Sequence, residues 1–167
     1  MPERPTKVVW WHFSDVHWKA GPSEERTRYL DTFFEHLERK TLEAHGVPHF
    51  IAITGDLSYS GKTAEYEAFR LHFIDRLTAL LRRSDSSEPP IFIVPGNHDV
   101  DRDATRRIHP ELVKGITTVS QLDELFQNDD DVETLLRPFR AFSNFQATLN
   151  KPPIDPKPAL SWGAQSK

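Results

Sequence analysis

The sequence predicts an α/β fold with a mostly parallel sheet and flanking helices. Three short runs rich in β-branched and aromatic residues, 8–13, Phe50–Thr54 and Ile91–Val94, read as strands. Two long segments with apolar residues at helical spacing separate them. The order strand, helix, strand, helix, strand requires crossover connections and parallel pairing. The strand runs are continuously apolar rather than alternating, which predicts a sheet covered on both faces.

Each element follows from local chemistry. Residues 23–45 read as the first helix: Leu30, Phe33, Phe34 and Leu37 share one face, Glu24 and Glu25 suit the positive end of the helix dipole, and Gly46 stops it. The second helix, 63–83, is expected to be capped by Thr63 and to carry a stripe of Phe69, Phe73, Leu77 and Leu80. Residues 84–90 form a polar, proline-ended loop, 101–121 read as charged and irregular, and the acidic run 129–131 reads as a solvated loop. Val132, Leu135, Leu136, Phe139, Phe142 and Leu149 then fall on one face of a last helical segment, which Pro138 must kink or begin. The expected organisation is one domain over 1–150 and a proline-rich connection or tail over 151–167.

Composition narrows the function classes. The chain has 167 residues, enough for one domain to bury roughly two-thirds of its unfolded surface. A net charge of −4 gives no basic field to hold nucleic acid by phosphate neutralisation alone. The absence of cysteine excludes disulfides and thiolate zinc sites and suits a reducing, cytoplasmic setting. No apolar run approaches the length of a membrane span, so no membrane partner is expected.

Each strand is followed by metal-ligand side chains: Asp15-Val16-His17, Gly55-Asp56 and Gly96-Asn97-His98-Asp99. The C-terminal edge of a parallel sheet is where ligands gather. Mixed carboxylate, amide and imidazole donors suit manganese, iron or zinc better than calcium. Two such ions about 3.5–4 Å apart can clamp a phosphate ester and activate water. A carboxylate should bridge ions that close, and Asp56, alone in its loop, is the candidate. Asp15 and His17, read as alternating along an extended backbone, would hold one ion together, and Asn97 would offer its amide oxygen to the other. His98 is the expected proton donor to the leaving oxygen, with Asp99 beside it to orient the ring. Asn97, His98 and Arg102 are the candidate substrate contacts. Gly55 and Gly96 are expected to adopt conformations closed to other residues and to allow substrate to approach. Among the remaining histidines, His12 reads as a core or interlayer residue and His109 as a remote substitute ligand.

The ordered strings Asp15-Val16-His17, Gly55-Asp56-Leu57-Ser58-Tyr59 and Gly96-Asn97-His98-Asp99 resemble the first three signatures of the calcineurin-like metallophosphoesterases. Thr54-Gly55-Asp56-Leu57-Ser58 and the run from Val94 to Arg102 are most similar to the bacterial branch that includes cyclic-nucleotide phosphodiesterases. The resemblance covers about residues 7–103. It implies a four-layer α/β/β/α sandwich, of which this chain would be the N-terminal half. It also implies a dinuclear site: Asp15, His17 and Asp56 on one ion, Asp56 and Asn97 beginning the second, and His98 assisting catalysis. The family pattern continues with a lone histidine and then a glycine-histidine-x-histidine motif. Here His109 alone follows Asp99. The expectation is therefore a half-site that hydrolyses phosphate mono- or diesters, nucleotides or cyclic nucleotides among them, once further sequence or a second chain completes it. The alternative is a non-catalytic module that binds a partner chain.

Overall fold

The structure, a computed structural model, describes residues 7–21, 23–84, 88–105 and 114–149. His109 and the proline-rich stretch expected over 151–167 lie outside them. Three strands, β1 (Trp10–Ser14), β2 (Phe50–Thr54) and β3 (Ile91–Val94), form one parallel sheet in the order β1-β2-β3. The register pairs Trp10 with Phe50, Ser14 with Thr54, and Thr54 with Val94, so all three strands end level.

The first crossover is α1 (Glu24–His36), a π-helical stretch over Leu37–Leu42, and α2 (Glu43–His45). Ser23 accepts the Arg26 amide as N-cap, and Gly46 ends the element with φ 75°. The second crossover is α3 (Thr63–Phe69), a π stretch over Arg70–Ile74, and α4 (Asp75–Ser84). The cap expected of Thr63 is made otherwise. Lys62 holds the N-cap position, and the Glu65 carboxylate accepts the Ser60 and Lys62 amides at 2.9 and 3.2 Å. Thr63 is already inside the helix, where its hydroxyl cannot reach the free amides.

The C-terminal part is more helical than expected. It contains α5 (Arg102–Thr105), α6 (Val119–Gln127), α7 (Asp129–Leu136) and α8 (Arg140–Thr148). The acidic run is the first turn of α7, capped by Asn128, where negative charge meets the helix dipole. Pro138 lies in a 3-10 turn that divides α7 from α8, so the last apolar stripe belongs to two helices. Phe142 and Phe145 of α8 pack on Tyr66, and Phe145 also meets Phe69.

The core lies on one side of the sheet. Trp11, Ile51, Ile53 and Ile93 point into it together with Phe34, Phe69, Phe73 and Leu77 from the crossover helices. The opposite face carries Trp10, Phe50 and Phe92 in a row, with ring centroids 5.6 and 6.1 Å apart. On that face Trp10, Phe92 and Val94 are exposed. The expected cover on both faces is therefore met on one face only among the described residues. His12 sits on the open face against Trp10, with Nε2 2.5 Å from Thr54 Oγ1, rather than in the core. Among the described residues no helix is long and apolar enough to cross a membrane.

Candidate metal centre

The level strand ends bring three loops together. The β1 loop runs alongside the β2 loop: His17 N donates to Asp56 O at 2.8 Å, Trp18 N to Leu57 O at 2.9 Å, and Tyr59 N to Trp18 O at 3.0 Å. Gly55 N reaches back to Val94 O at 2.9 Å. Three non-glycine residues of the described chain have positive φ: Asp15 at 55°, His17 at 47° and Asp56 at 52°. The extended alternation expected for Asp15 and His17 is thus not what the chain does. Both are left-handed, a conformation that costs about 1–2 kcal/mol for a residue with a side chain. All three are residues singled out as metal ligands, and backbone strain gathers at functional sites because the surrounding structure must hold it there.

Gly55 has φ 74°, as expected of it. Gly96 serves a different purpose from the one expected. A Cβ there would lie 2.3 Å from Asp56 Oδ1 and 2.5 Å from Asp56 N, so this glycine admits the Asp56 loop rather than a substrate.

His17, Asp56 and His98 form a group whose ligand atoms all lie within 4.8 Å of one another. His17 Nε2 is 3.8 Å from Asp56 Oδ2, and the two imidazoles meet edge to face at 4.6 Å. Asp56 Oδ1 accepts the His98 amide at 2.8 Å. His17 Nδ1 is buried without a hydrogen-bond partner among the described residues. Such a collection of lone pairs, one of them orphaned, fits a divalent cation. Asp15 is exposed at the same rim, its carboxylate outside the three-residue group. Asn97 is exposed and opens the 3-10 turn Asn97–Asp99. Arg102 is exposed at the start of α5.

His98 is oriented by a group the sequence reading missed. Its Nδ1 lies 2.9 Å from the Tyr59 carbonyl, which can only accept, so Nδ1 carries the proton. Asp99 does not orient the ring. Its carboxylate is fully buried and faces the interior of the loops, where it accepts the amides of Leu57, Ser58 and Gly96 and the hydroxyls of Ser58 and Tyr66. The physical reason is the 3-10 turn, which sends neighbouring side chains in different directions. Tyr59 O gave no sequence signal, because a backbone carbonyl has no residue signature.

The loop from β2 to α3 is tied to the loop after β3 at further points. A Cβ on Gly61 would lie 2.5 Å from Asp101 N, and Lys62 Nζ reaches Asp101 and Asp103 at 2.5 and 2.8 Å. These contacts and Tyr66 predict an alkaline limit to stability. Burial pushes the Tyr66 hydroxyl well above the ordinary tyrosine range, with the Asp99 charge adding to it and the Ser58 hydrogen bond opposing. Hydrogen bonds to Asp101 and Asp103 raise Lys62. Both groups hold their protons more tightly folded than unfolded. Their contribution is therefore complete below about pH 10 and falls as pH rises further. Lys62 is substantially exposed and contributes at most about 1 kcal/mol. Urea midpoints should show no loss from these groups between neutrality and about pH 9.5 and should fall above about pH 10, with a shallower fall in Tyr66→Phe; stability rising above that point would contradict the assignment.

The three loops bring together side chains that could hold a metal ion. The sequence profile of the calcineurin-like phosphoesterases matches residues 9–156, and the chain belongs to that family. It is also similar to the metallophosphoesterase-like protein YydB of Bacillus subtilis (strain 168), with 27% identity over 143 residues. That alignment covers 83% of this chain and 27% of the relative, so the chain spans about a quarter of the relative's length.

Proposed function

We propose that this chain supplies the first half of a dinuclear site that hydrolyses phosphate mono- or diesters. The observation that carries the reading is the convergence of His17, Asp56 and His98 from three separate strand ends to within 4.8 Å. Asp15, His17 and Asp56 would hold one ion, and Asp56 and Asn97 would begin the second. The metals in keeping with these donors are manganese, iron or zinc. Bound there, the ions supply charge neutralisation to the phosphate and acidity to water.

The chain's own residues do the rest. Asp56 is held by the His98 amide through one oxygen, leaving the other toward His17. With its Nδ1 proton given to Tyr59 O, His98 has Nε2 for the leaving oxygen of an ester. Arg102 is the candidate contact for phosphate oxygens. The remaining imidazoles would have to come from another segment or a second chain. Nucleotides and cyclic nucleotides are the proposed substrate class, and the cytoplasm the proposed setting.

The test is turnover of p-nitrophenyl phosphate with added Mn²⁺ by a protein that carries this chain together with the segment or second chain that completes the site. Asp56→Ala should reduce it by at least about 100-fold, since it removes a carboxylate that would hold the ions and an anchor of His98. Equal turnover by the two proteins would overturn the proposal. A second reading, a non-catalytic module that binds a partner chain, is favoured by the exposed aromatic row on the sheet. It predicts strong binding of a hydrophobic dye by the isolated chain and no Mn²⁺-dependent turnover.

A further inference from the structure

The proposed metal centre leaves one buried charge unassigned. Asp99 is wholly inaccessible, in the loop between β3 and α5, and five donors converge on its carboxylate. Oδ1 accepts Ser58 N at 2.9 Å, Ser58 Oγ at 2.9 Å and Tyr66 Oη at 2.8 Å. Oδ2 accepts Leu57 N at 3.2 Å and Gly96 N at 2.9 Å. A carboxylate that receives three backbone amides and two hydroxyls is satisfied within the protein, and charge-assisted bonds of this kind are roughly twice as strong as neutral ones.

The identity of the donors is what matters. Leu57 and Ser58 directly follow Asp56, and Gly96 directly precedes Asn97. One side chain therefore fixes the backbone on the exit side of one ligand loop and the entry side of another. The same geometry sets His98 N on Asp56 Oδ1 at 2.8 Å and the His98 ring against His17 at 4.6 Å. Ser58 Oγ, itself bonded to Gly61 N at 3.0 Å, and Tyr66 anchor the carboxylate to the start of α3, so the clamp is referred to a helix and not to loops alone.

We infer that Asp99 is a positioning residue that holds the Asp56 loop and the Asn97–His98 turn at the spacing a metal ion requires. The inference rests on the metal-binding reading above. Among the described residues Asp99 makes no hydrogen bond to a ligand side chain of that site and acts through the backbone that carries them. Asn is nearly isosteric, but its amide places an N–H pair against donors, so Asp99→Asn keeps the volume and breaks the clamp. Tyr66→Phe keeps the charge and removes one donor.

The experiment is calorimetric titration of the 167-residue chain with Mn²⁺ alone, with circular dichroism and thermal melts run in parallel. Asp99→Asn should weaken Mn²⁺ binding about 10–100-fold, the range expected when an outer partner of a metal ligand is lost, at a temperature where the far-ultraviolet spectrum is native. Tyr66→Phe should weaken it less but measurably, by about two- to fivefold, and serves as the informative variant if Asp99→Asn does not fold. Wild-type Mn²⁺ affinity in folded Asp99→Asn, with only a lowered melting temperature, would overturn the inference while leaving the metal site standing. Should Asp99→Asn not fold, unchanged affinity in Tyr66→Phe would overturn it. A wild-type chain that takes up no Mn²⁺ would overturn the metal reading itself.

Discussion

Replacement of Gly96 by alanine is expected to abolish the metal centre and to cost stability as well. The added Cβ would fall 2.3 Å from Asp56 Oδ1, 2.5 Å from Asp56 N and 2.9 Å from Gly55 Cα. Two of those atoms are backbone, so no rotamer change relieves the contact. Overpacking of this kind costs about 1–3 kcal/mol, and a backbone obstacle places it at the upper end. The shift must separate the Asp56 loop from the turn that follows β3, the two parts joined by His98 N and Asp56 Oδ1. Mn²⁺ affinity should fall by at least about 100-fold and the urea midpoint should drop with it. Gly46→Ala is the control. Gly46 has positive φ, at 75°, and open space surrounds it. It should cost about 1 kcal/mol and leave metal affinity unchanged.

The second large effect is expected at Phe69. Its side chain is fully buried, and its ring lies 5.8 Å from Trp18, 5.1 Å from Phe73 and 5.9 Å from Phe145. It therefore joins the β1 loop, the second crossover helix and the last helix. Phe69→Ala should cost about 3–5 kcal/mol, a large part of the 5–15 kcal/mol that holds a typical domain folded. In a thermal melt that is a fall of roughly 10–15 °C. Phe92→Ala on the open sheet face, where the ring is 58% exposed, should cost only about 0.5 kcal/mol. If the two variants melt together, the assignment of the core to one side of the sheet is wrong.

The same residues show what a sequence can and cannot display. The three strands and their parallel pairing were legible because Phe50–Thr54 and Ile91–Val94 are short apolar runs between helical stripes. Parallel pairing then places the residues after each strand on one edge. The Gly55 turn was legible because glycine advertises positive φ. The left-handed Asp15, His17 and Asp56 were not, since nothing in their identity fixes φ; the structure around them does. Asp99 was misread because adjacency in sequence was taken for adjacency of side chains. The open sheet face was missed for a related reason. A continuous apolar run shows that both faces are apolar, not which of them the nearby helices cover. The cap on α3 went to Glu65 because the positive φ of Gly61 turns the preceding loop back over the helix start.

The spacing of the three strands also has a consequence in time. Asp56 and His98 lie 42 residues apart, and the clamp from Asp99 to Leu57 spans the same interval. At a synthesis rate of about 5–20 residues per second, Asp56 leaves the ribosome roughly 2–8 s, and His17 roughly 4–16 s, before the turn that fixes them. During those seconds β1 and β2 can pair, yet the left-handed Asp56 has neither the His98 amide nor the Asp99 clamp behind it. The group of His17, Asp56 and His98 forms only when residue 99 has emerged and β3 has paired. An ion held by that group would stabilise strands that are already paired.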